Sequence, residues 1–209
     1  MNNTQKLFDE WAATYNKFVE HSQETFPFAG YDQVNDIILS MIRPEDISVL
    51  DIGIGTGKLA YDIKQKTDAR IYGLDLSSKM LKICAEKIPD ATLIQHDFGL
   101  SPNLPDDWTA FDYIISNYTF HHFDDFQKYE RILFLLDKLK IGGRLIIADI
   151  GFWNPEELNL MKLKYKDLWD DNEYYSTIQE TIDFVNRLSV DISIHKISFC
   201  AWILVLTKK

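Results

Sequence analysis

Two groups of residues have types and spacings that do chemistry. The first lies in VLDIGIGTGKLA at 49–60, where Gly53, Gly55 and Gly57 alternate beyond an acid, Asp51, that ends an apolar run. A strand turning into a helix through so bare a backbone presents free N–H groups at a helix N-terminus, where polar or anionic ligand groups are favoured. A phosphate loop of the G-x-x-x-x-G-K-[ST] type is excluded: Gly53 to Gly57 is one residue too short, and Leu59 stands where a hydroxyl is needed. A dinucleotide loop, G-x-G-x-x-G, fits poorly because Lys58 occupies the third glycine's place, although Asp75 lies at a suitable distance for a ribose contact. The second group is His121, His122 and Asp149. Each follows or ends an apolar run, and each is of a type that can take a proton from an oxygen or nitrogen nucleophile.

The elements that must position these groups alternate along the chain. Leu7, Phe8, Trp11, Ala12, Tyr15, Phe18 and Val19 recur at spacings of three and four, which predicts one amphipathic helix over 4–19. A second apolar-periodic segment through Ile37, Ile38 and Met41 is closed by Pro44. Short apolar runs at 47–52, 69–74, 91–95, 111–117 and 143–149 read as strands. Helical patterns at about 58–65, 78–88 and 126–139 lie between them, the second with Ser77 as N-cap and the third leading to a Gly142-Gly143 turn. Strand and helix in alternation mean parallel pairing with right-handed crossovers and helices on both faces. In the tail, VDISIHKI at 190–197 alternates as a half-exposed strand does, and FCAWILVL at 199–206 is apolar throughout. So short a connection makes that pair antiparallel, with the later strand interior and the earlier one at the edge.

The chain of 209 residues is long enough for one well-buried domain, and its composition, 46% hydrophobic and 26% charged, is that of a globular protein. A net charge of −10 disfavours a nucleic-acid partner, which is ordinarily gripped through a Lys/Arg face. The first thirty residues carry Asp9, Glu10, Glu20 and Glu24 and do not resemble a secretory signal. The longest apolar run, Phe199 to Leu206, falls far short of the roughly 20 residues that span a bilayer. Cys84 and Cys200 form no CxxC pair and fit reduced, buried thiols. A cytoplasmic protein without membrane contact is expected, and no feature of the sequence sets an oligomeric state.

Taken in order, five stretches resemble the motifs of class I S-adenosylmethionine-dependent methyltransferases. They are VLDIGIGTG (49–57), YGLDLSSKML (72–81), LIQHDF (93–98), FDYIISNYTFHHF (111–123) and LKIGGRLIIAD (139–149). The resemblance covers about 40 to 207, and over its full length, including FDEWAATYNKFV (8–19), the chain is similar to the YrrT-like methyltransferases of Gram-positive bacteria. The resemblance implies an α/β, Rossmann-like, doubly wound sheet of seven mostly parallel strands with an antiparallel last strand, in the order 3-2-1-4-5-7-6. It also implies a single domain over 1–209, with an N-terminal helical cap at 1–43, a core at 44–209 and a lid at about 152–180.

The activity so implied is transfer of a methyl group from S-adenosylmethionine to a small-molecule acceptor by in-line displacement, leaving S-adenosylhomocysteine. Gly53, Ile54, Gly55, Thr56 and Gly57 would pass close to the methionine moiety and ribose. Asp51 would reach the amino group or else hold the loop. Asp75 would accept from both ribose hydroxyls, since a carboxylate offers two acceptors to two adjacent donors. Asp97 would accept from the adenine amino group, with Leu76 or Phe98 against the ring. Asn117 would lie near the sulfonium, and Tyr15 would fold over the cofactor or pack along its helix. His121, His122 and Asp149 are candidates for a base, although a thiolate or basic amine would require none. No second and third ligand stand at metal-binding spacing around Asp149, so no metal is expected. Segments 15–31 and 152–175, rich in aromatic residues, would shape the acceptor pocket. Two other readings stay open: a protein that binds the cofactor or its product without catalysis, and a methyltransferase acting on RNA or protein.

Overall fold

The computed structural model describes residues 3–14, 19, 22–45 and 47–209. The run at 48–52 is apolar enough to be buried on both faces, and it forms the central strand β1 (Ser48–Ile52). Around it the chain proceeds through α1 (Asn3–Trp11), α2 (Tyr31–Met41), β1, α3 (Lys58–Lys66), β2 (Arg70–Asp75), α4 (Ser78–Lys87) and β3 (Thr92–Gln95). It continues through β4 (Phe111–Asn117), a 3-10 turn (Phe120–His122), α5 (Asp125–Asp137), β5 (Leu139–Phe152) and α6 (Pro155–Lys164). A two-residue strand β6 (Ser176–Thr177), α7 (Ile178–Val185), β7 (Val190–Lys196) and β8 (Ala201–Lys208) complete it.

The sheet runs β3-β2-β1-β4-β5-β8-β7, with β6 paired to β5 off this path. Without that short strand the order is 3-2-1-4-5-7-6, as expected. β1 to β5 pair parallel, whereas β8 pairs antiparallel with both β5 and β7. Alternation along the strands divides the core into two layers. Val49, Ile71, Ile115 and Ile146 meet Val34 and Ile38 of α2 and Leu59 and Ile63 of α3. Leu50, Ile114 and Leu145 meet Ile132 and Leu135 of α5 on the other face. Among the described residues no helix is long and apolar enough to cross a membrane.

Ser77 caps α4 as expected, its Oγ accepting from Met80 N at 3.1 Å. Two boundaries differ from expectation. Helix α1 closes at Trp11, because Thr14 N (2.9 Å) and Oγ1 (3.3 Å) both donate to the Trp11 carbonyl and turn the chain. The Gly142-Gly143 pair belongs to β5, which starts at Leu139, and does not end a helix loop. Gly142 adopts φ +75° there, and the β4–β5 register shifts between Phe111 and Tyr113. That is a bulge made by glycine.

One buried cation bears directly on the site. Arg131 of α5, 2% exposed, donates Nε to Phe98 O (2.8 Å) and Nη2 to Gly99 O (2.9 Å), fastening the turn beyond β3 to the helix. The glycine turn after β1 is fastened by packing. Gly57 has φ +73°, and a Cβ there would lie 2.5 Å from Cys84 Sγ of α4. Gly57→Ala is therefore expected to lower unfolding free energy by about 2–4 kcal/mol, combining left-handed strain with overpacking. Urea denaturation checks this, and a change below about 0.5 kcal/mol would show that α4 gives way freely.

Candidate active site

β1 is the strand from which the chain leaves in two directions, to β2 and β3 on one side and to β4 and β5 on the other. Beyond the carboxyl ends of strands at such a switch point, an α/β sheet leaves a crevice. Here it is a cavity of about 330 Å³. Asp51, Gly53, Ile54, Gly55 and Thr56 from the β1 turn line it, with Asp75 and Leu76 from the end of β2. Asp97 and Phe98 beyond β3, and Asn117 at the end of β4, complete the set expected from the sequence. Gly57 is not part of the lining and caps α3 instead. Tyr15 lies outside the described residues, as do Phe18 and His21.

The three glycines do different things. A Cβ on Gly53 would lie 2.2 Å from Thr119 Oγ1, so this glycine makes room for the β4 loop. Gly55, at φ +56°, would meet only the Gly53 carbonyl at 3.9 Å and opens on the cavity.

Each acid around the cavity is held differently. Asp75 accepts from Gly55 N at Oδ2 (2.9 Å) and from Ser77 N at Oδ1 (2.8 Å), so the second strand's acid organises the first strand's glycine turn. Burial pushes its pKa to about 6, against the pull of those amides. Asp97 accepts from Gly99 N (3.0 Å) and Leu100 N (3.1 Å), both at Oδ1. Asp51 is 3% exposed, and its Oδ1 has no partner among the described residues; the same holds for Oδ1 of Asn117. Asn117 Nδ2 donates to Asn35 Oδ1 on α2 at 2.9 Å. Asn35 was absent from the sequence expectations. Its signal was available: an amide on the apolar stripe of a helix, beside Val34 and Ile38.

A second cavity of about 400 Å³ adjoins the first, and Phe8, Tyr118, His122 and Asn172 line both. Leu7, Trp11, Pro27, Phe28 and Ile150 give it apolar walls, and His121, Asp170 and Glu173 a polar end. Asp149 stands behind His121 and lines neither of these two cavities. Its Oδ1 lies 2.6 Å from His121 Nδ1 and accepts from Ile150 N at 2.7 Å, while Oδ2 accepts from His121 N at 2.9 Å.

Burial works against a charged His121, but the charge and hydrogen bond of Asp149, and then Glu173, outweigh it and hold the pKa above the usual histidine value. Asp149 is held below the usual carboxylate range, burial being outweighed by His121 and the backbone amides. Burial, and then the neighbouring His121, pushes His122 down to about 3. Glu173, 3.5 Å from His121 Nε2, also escaped the sequence expectations. It stands in a run of acids, DLWDDNEYY, where nothing in residue type or spacing distinguishes it.

The model of a methyltransferase domain matches residues 44–199 of the chain. An uncharacterized methyltransferase of Geobacillus kaustophilus (strain HTA426) is 29% identical over 213 aligned positions, covering 97% of this chain and 96% of the relative. Among solved structures, magnesium protoporphyrin IX methyltransferase from Synechocystis PCC 6803 with bound SAH superposes with a TM-score of 0.71. It is 16% identical, with 98% of this chain and 99% of that one covered. The DhpI-SAH complex superposes with a TM-score of 0.73 at 14% identity, covering 98% and 94%. With the strand order, the switch-point cleft and a domain match over most of its length, the chain belongs to the methyltransferase domain family.

Proposed function

We propose that the chain transfers a methyl group from S-adenosylmethionine to a small-molecule acceptor. The observation that carries this reading is in the lining of the first cavity, where Asp51 Oδ1 and Asn117 Oδ1 are buried acceptors without partners among the described residues. Unsatisfied acceptors, one of them on a carboxylate, call for a ligand with hydrogen-bond donors, one of them cationic, and the cofactor carries an ammonium that donates, beside a sulfonium charge. Both solved neighbours named above are complexes with its product, SAH, which supports the same ligand here.

Each acid has capacity for one part of it. Each Asp75 oxygen takes one backbone amide and retains a lone pair for a ribose hydroxyl. Asp97 keeps Oδ2 for an exocyclic amino group, and buried Phe98 offers an apolar wall. Gly55 lets the backbone approach. When bound there, the cofactor would supply an electrophilic methyl group for in-line attack by the acceptor atom, with the sulfur as leaving group. The protein's contribution is positioning and exclusion of water. The second cavity, apolar with one polar end, suits a small acceptor, and the −10 charge disfavours a nucleic acid. His121 and His122 face that acceptor, with Asp149 as the positioning residue behind His121.

Calorimetry with SAH is expected to show one site per chain, and Asp75→Ala to weaken it by about 1.5–3 kcal/mol, the range for hydrogen bonds to a charged group. Absence of SAH binding would overturn the reading.

Asp51 yields an opposed pair of effects. Burial, and then the nearby Asp75, pushes its pKa up to about 7. A carboxyl raised in the folded state destabilises the ligand-free protein increasingly as pH climbs from about 4, and fully above about 7. Asp51→Asn should thus raise the ligand-free Tm at pH 8 by at least about 4 °C, given about 2–4 °C per kcal/mol in a domain of this size. The gain should vanish near pH 4. The same change should weaken SAH binding at pH 8 and flatten the loss of affinity expected of the unsubstituted protein below pH 7. Parallel melting and calorimetry across pH 4–8 check both, and a lower ligand-free Tm at pH 8 would refute the assignment.

A further inference from the structure

The polar end of the second cavity gathers three groups of metal-ligating type. One ligand atom each from His121, His122 and Glu173 lies within 4.8 Å of the others. Glu173 Oε1 is 3.5 Å from His121 Nε2 and 4.0 Å from His122 Nδ1. Metal–ligand bonds of about 2.0–2.2 Å in a tetrahedral site set ligand atoms about 3.3–3.6 Å apart, so the three need to close by at most about 1.5 Å.

The atoms around these groups are arranged as the outer sphere of a metal site is. Asp149 takes Nδ1 of His121 at 2.6 Å, which places that ring's hydrogen on Nδ1 and presents Nε2 as the ligand atom. A carboxylate on the far nitrogen is the usual support of a metal-bound imidazole. Asp149 is fixed in turn by the amides of His121 and Ile150. Tyr175 donates its hydroxyl to Glu173 Oε2 at 2.5 Å, leaving Oε1 for a cation. The two contributing segments are also tied together. Tyr174 N donates to His121 O at 2.7 Å, and Lys128 Nζ donates to Tyr174 O. Glu173 is thereby held opposite the histidine pair although it is more than fifty residues away in sequence.

We propose that His121 Nε2, His122 Nδ1 and Glu173 Oε1 bind one divalent cation of the zinc class, with its remaining positions open to the second cavity. Two imidazoles and one carboxylate suit zinc, iron, cobalt or nickel, and do not suit magnesium or calcium, which take oxygen ligands. Its role rests on the function proposed above. Because His122 lines both cavities, the cation would stand between cofactor cleft and acceptor, holding the acceptor through an oxygen or sulfur donor and favouring that donor's deprotonated form. Binding itself requires no turnover.

The test is calorimetry with zinc sulfate on chelator-treated, dialysed full-length protein, with cobalt(II) absorption as a second readout. One zinc ion per chain is expected, together with visible cobalt bands of a low-coordinate nitrogen–oxygen site. Glu173→Gln and His122→Gln should each weaken zinc by at least tenfold, and Asp149→Asn by about 10–100-fold as loss of an outer-sphere partner. Far-UV circular dichroism and melting show that each variant is folded, and where one fails to fold, zinc affinity in the other two decides. Failure to bind zinc, binding unaltered in folded Glu173→Gln and His122→Gln, or magnesium competing on equal terms would overturn the proposal. SAH calorimetry on the same preparation reports the cofactor reading separately, so the two can fail independently.

Discussion

Asp51, buried, and Asp75, half-buried, are carboxylates at the ends of neighbouring parallel strands, and the architecture around the cleft follows from accommodating them. Charge cannot be buried without partners except at high cost. Asp75 is accommodated by two amides, and one of them, from Gly55, helps hold the β1 turn together with the bonds of Gly53 N and Ile54 N to the Leu74 carbonyl. Asp51 has no such relief at Oδ1. On the function proposed above its need is met by the cofactor, so the ligand-free fold would carry a fault that binding repairs. Stability and affinity therefore oppose each other at one atom.

The rest of the molecule keeps the two cavities distinct and adjoining. Arg131 holds the carbonyls of residues 98 and 99 on the side where an adenine would rest. Lys128, on the same helix and also buried, holds the carbonyl of Tyr174 beside the histidine pair. One helix thus carries, three residues apart, the fastening for each cavity. Neither cation is exposed to solvent competition, and both donate to backbone carbonyls, which sets loop position with little dependence on side-chain conformation.

Much of this was legible in the sequence because it is local. The glycine alternation, the acids ending strands and the apolar tail after a half-apolar strand each depend on a few neighbouring residues, and their periods distinguish strand from helix. The strands, the parallel pairing and the antiparallel tail could be read in this way, whereas the full strand order and the roles of Asp75 and Asp97 came from the resemblance to the methyltransferase motifs. What escaped depends on long-range approach. Glu173 has meaning only opposite His121, and its neighbours Asp170 and Asp171 are equally acidic. Asn35 matters because α2 crosses the end of β4. The packing at Gly53 and Gly57 depends on distant residues for the same reason: a Cβ at either would meet Thr119 or Cys84, far away in the chain, whereas one at Gly55 would meet only the Gly53 carbonyl.

The antiparallel strand β8 has a consequence for the order in which the molecule can assemble. β1, β2 and β4 are joined through crossovers of modest length, so the cofactor side can form early. β5 waits for a partner about fifty residues further along, Ile150 pairing with Ala201 and Asp149 with Trp202. Such distant pairings are slow to form. Until β8 docks, β5 is an open edge of apolar residues, the kind of surface on which folding chains associate wrongly. Asp149 orients His121 from that same strand. The side of the molecule that holds His121 thus rests on a pairing between segments far apart in the chain, whereas the glycine turn and its neighbouring acids rest on nearer ones.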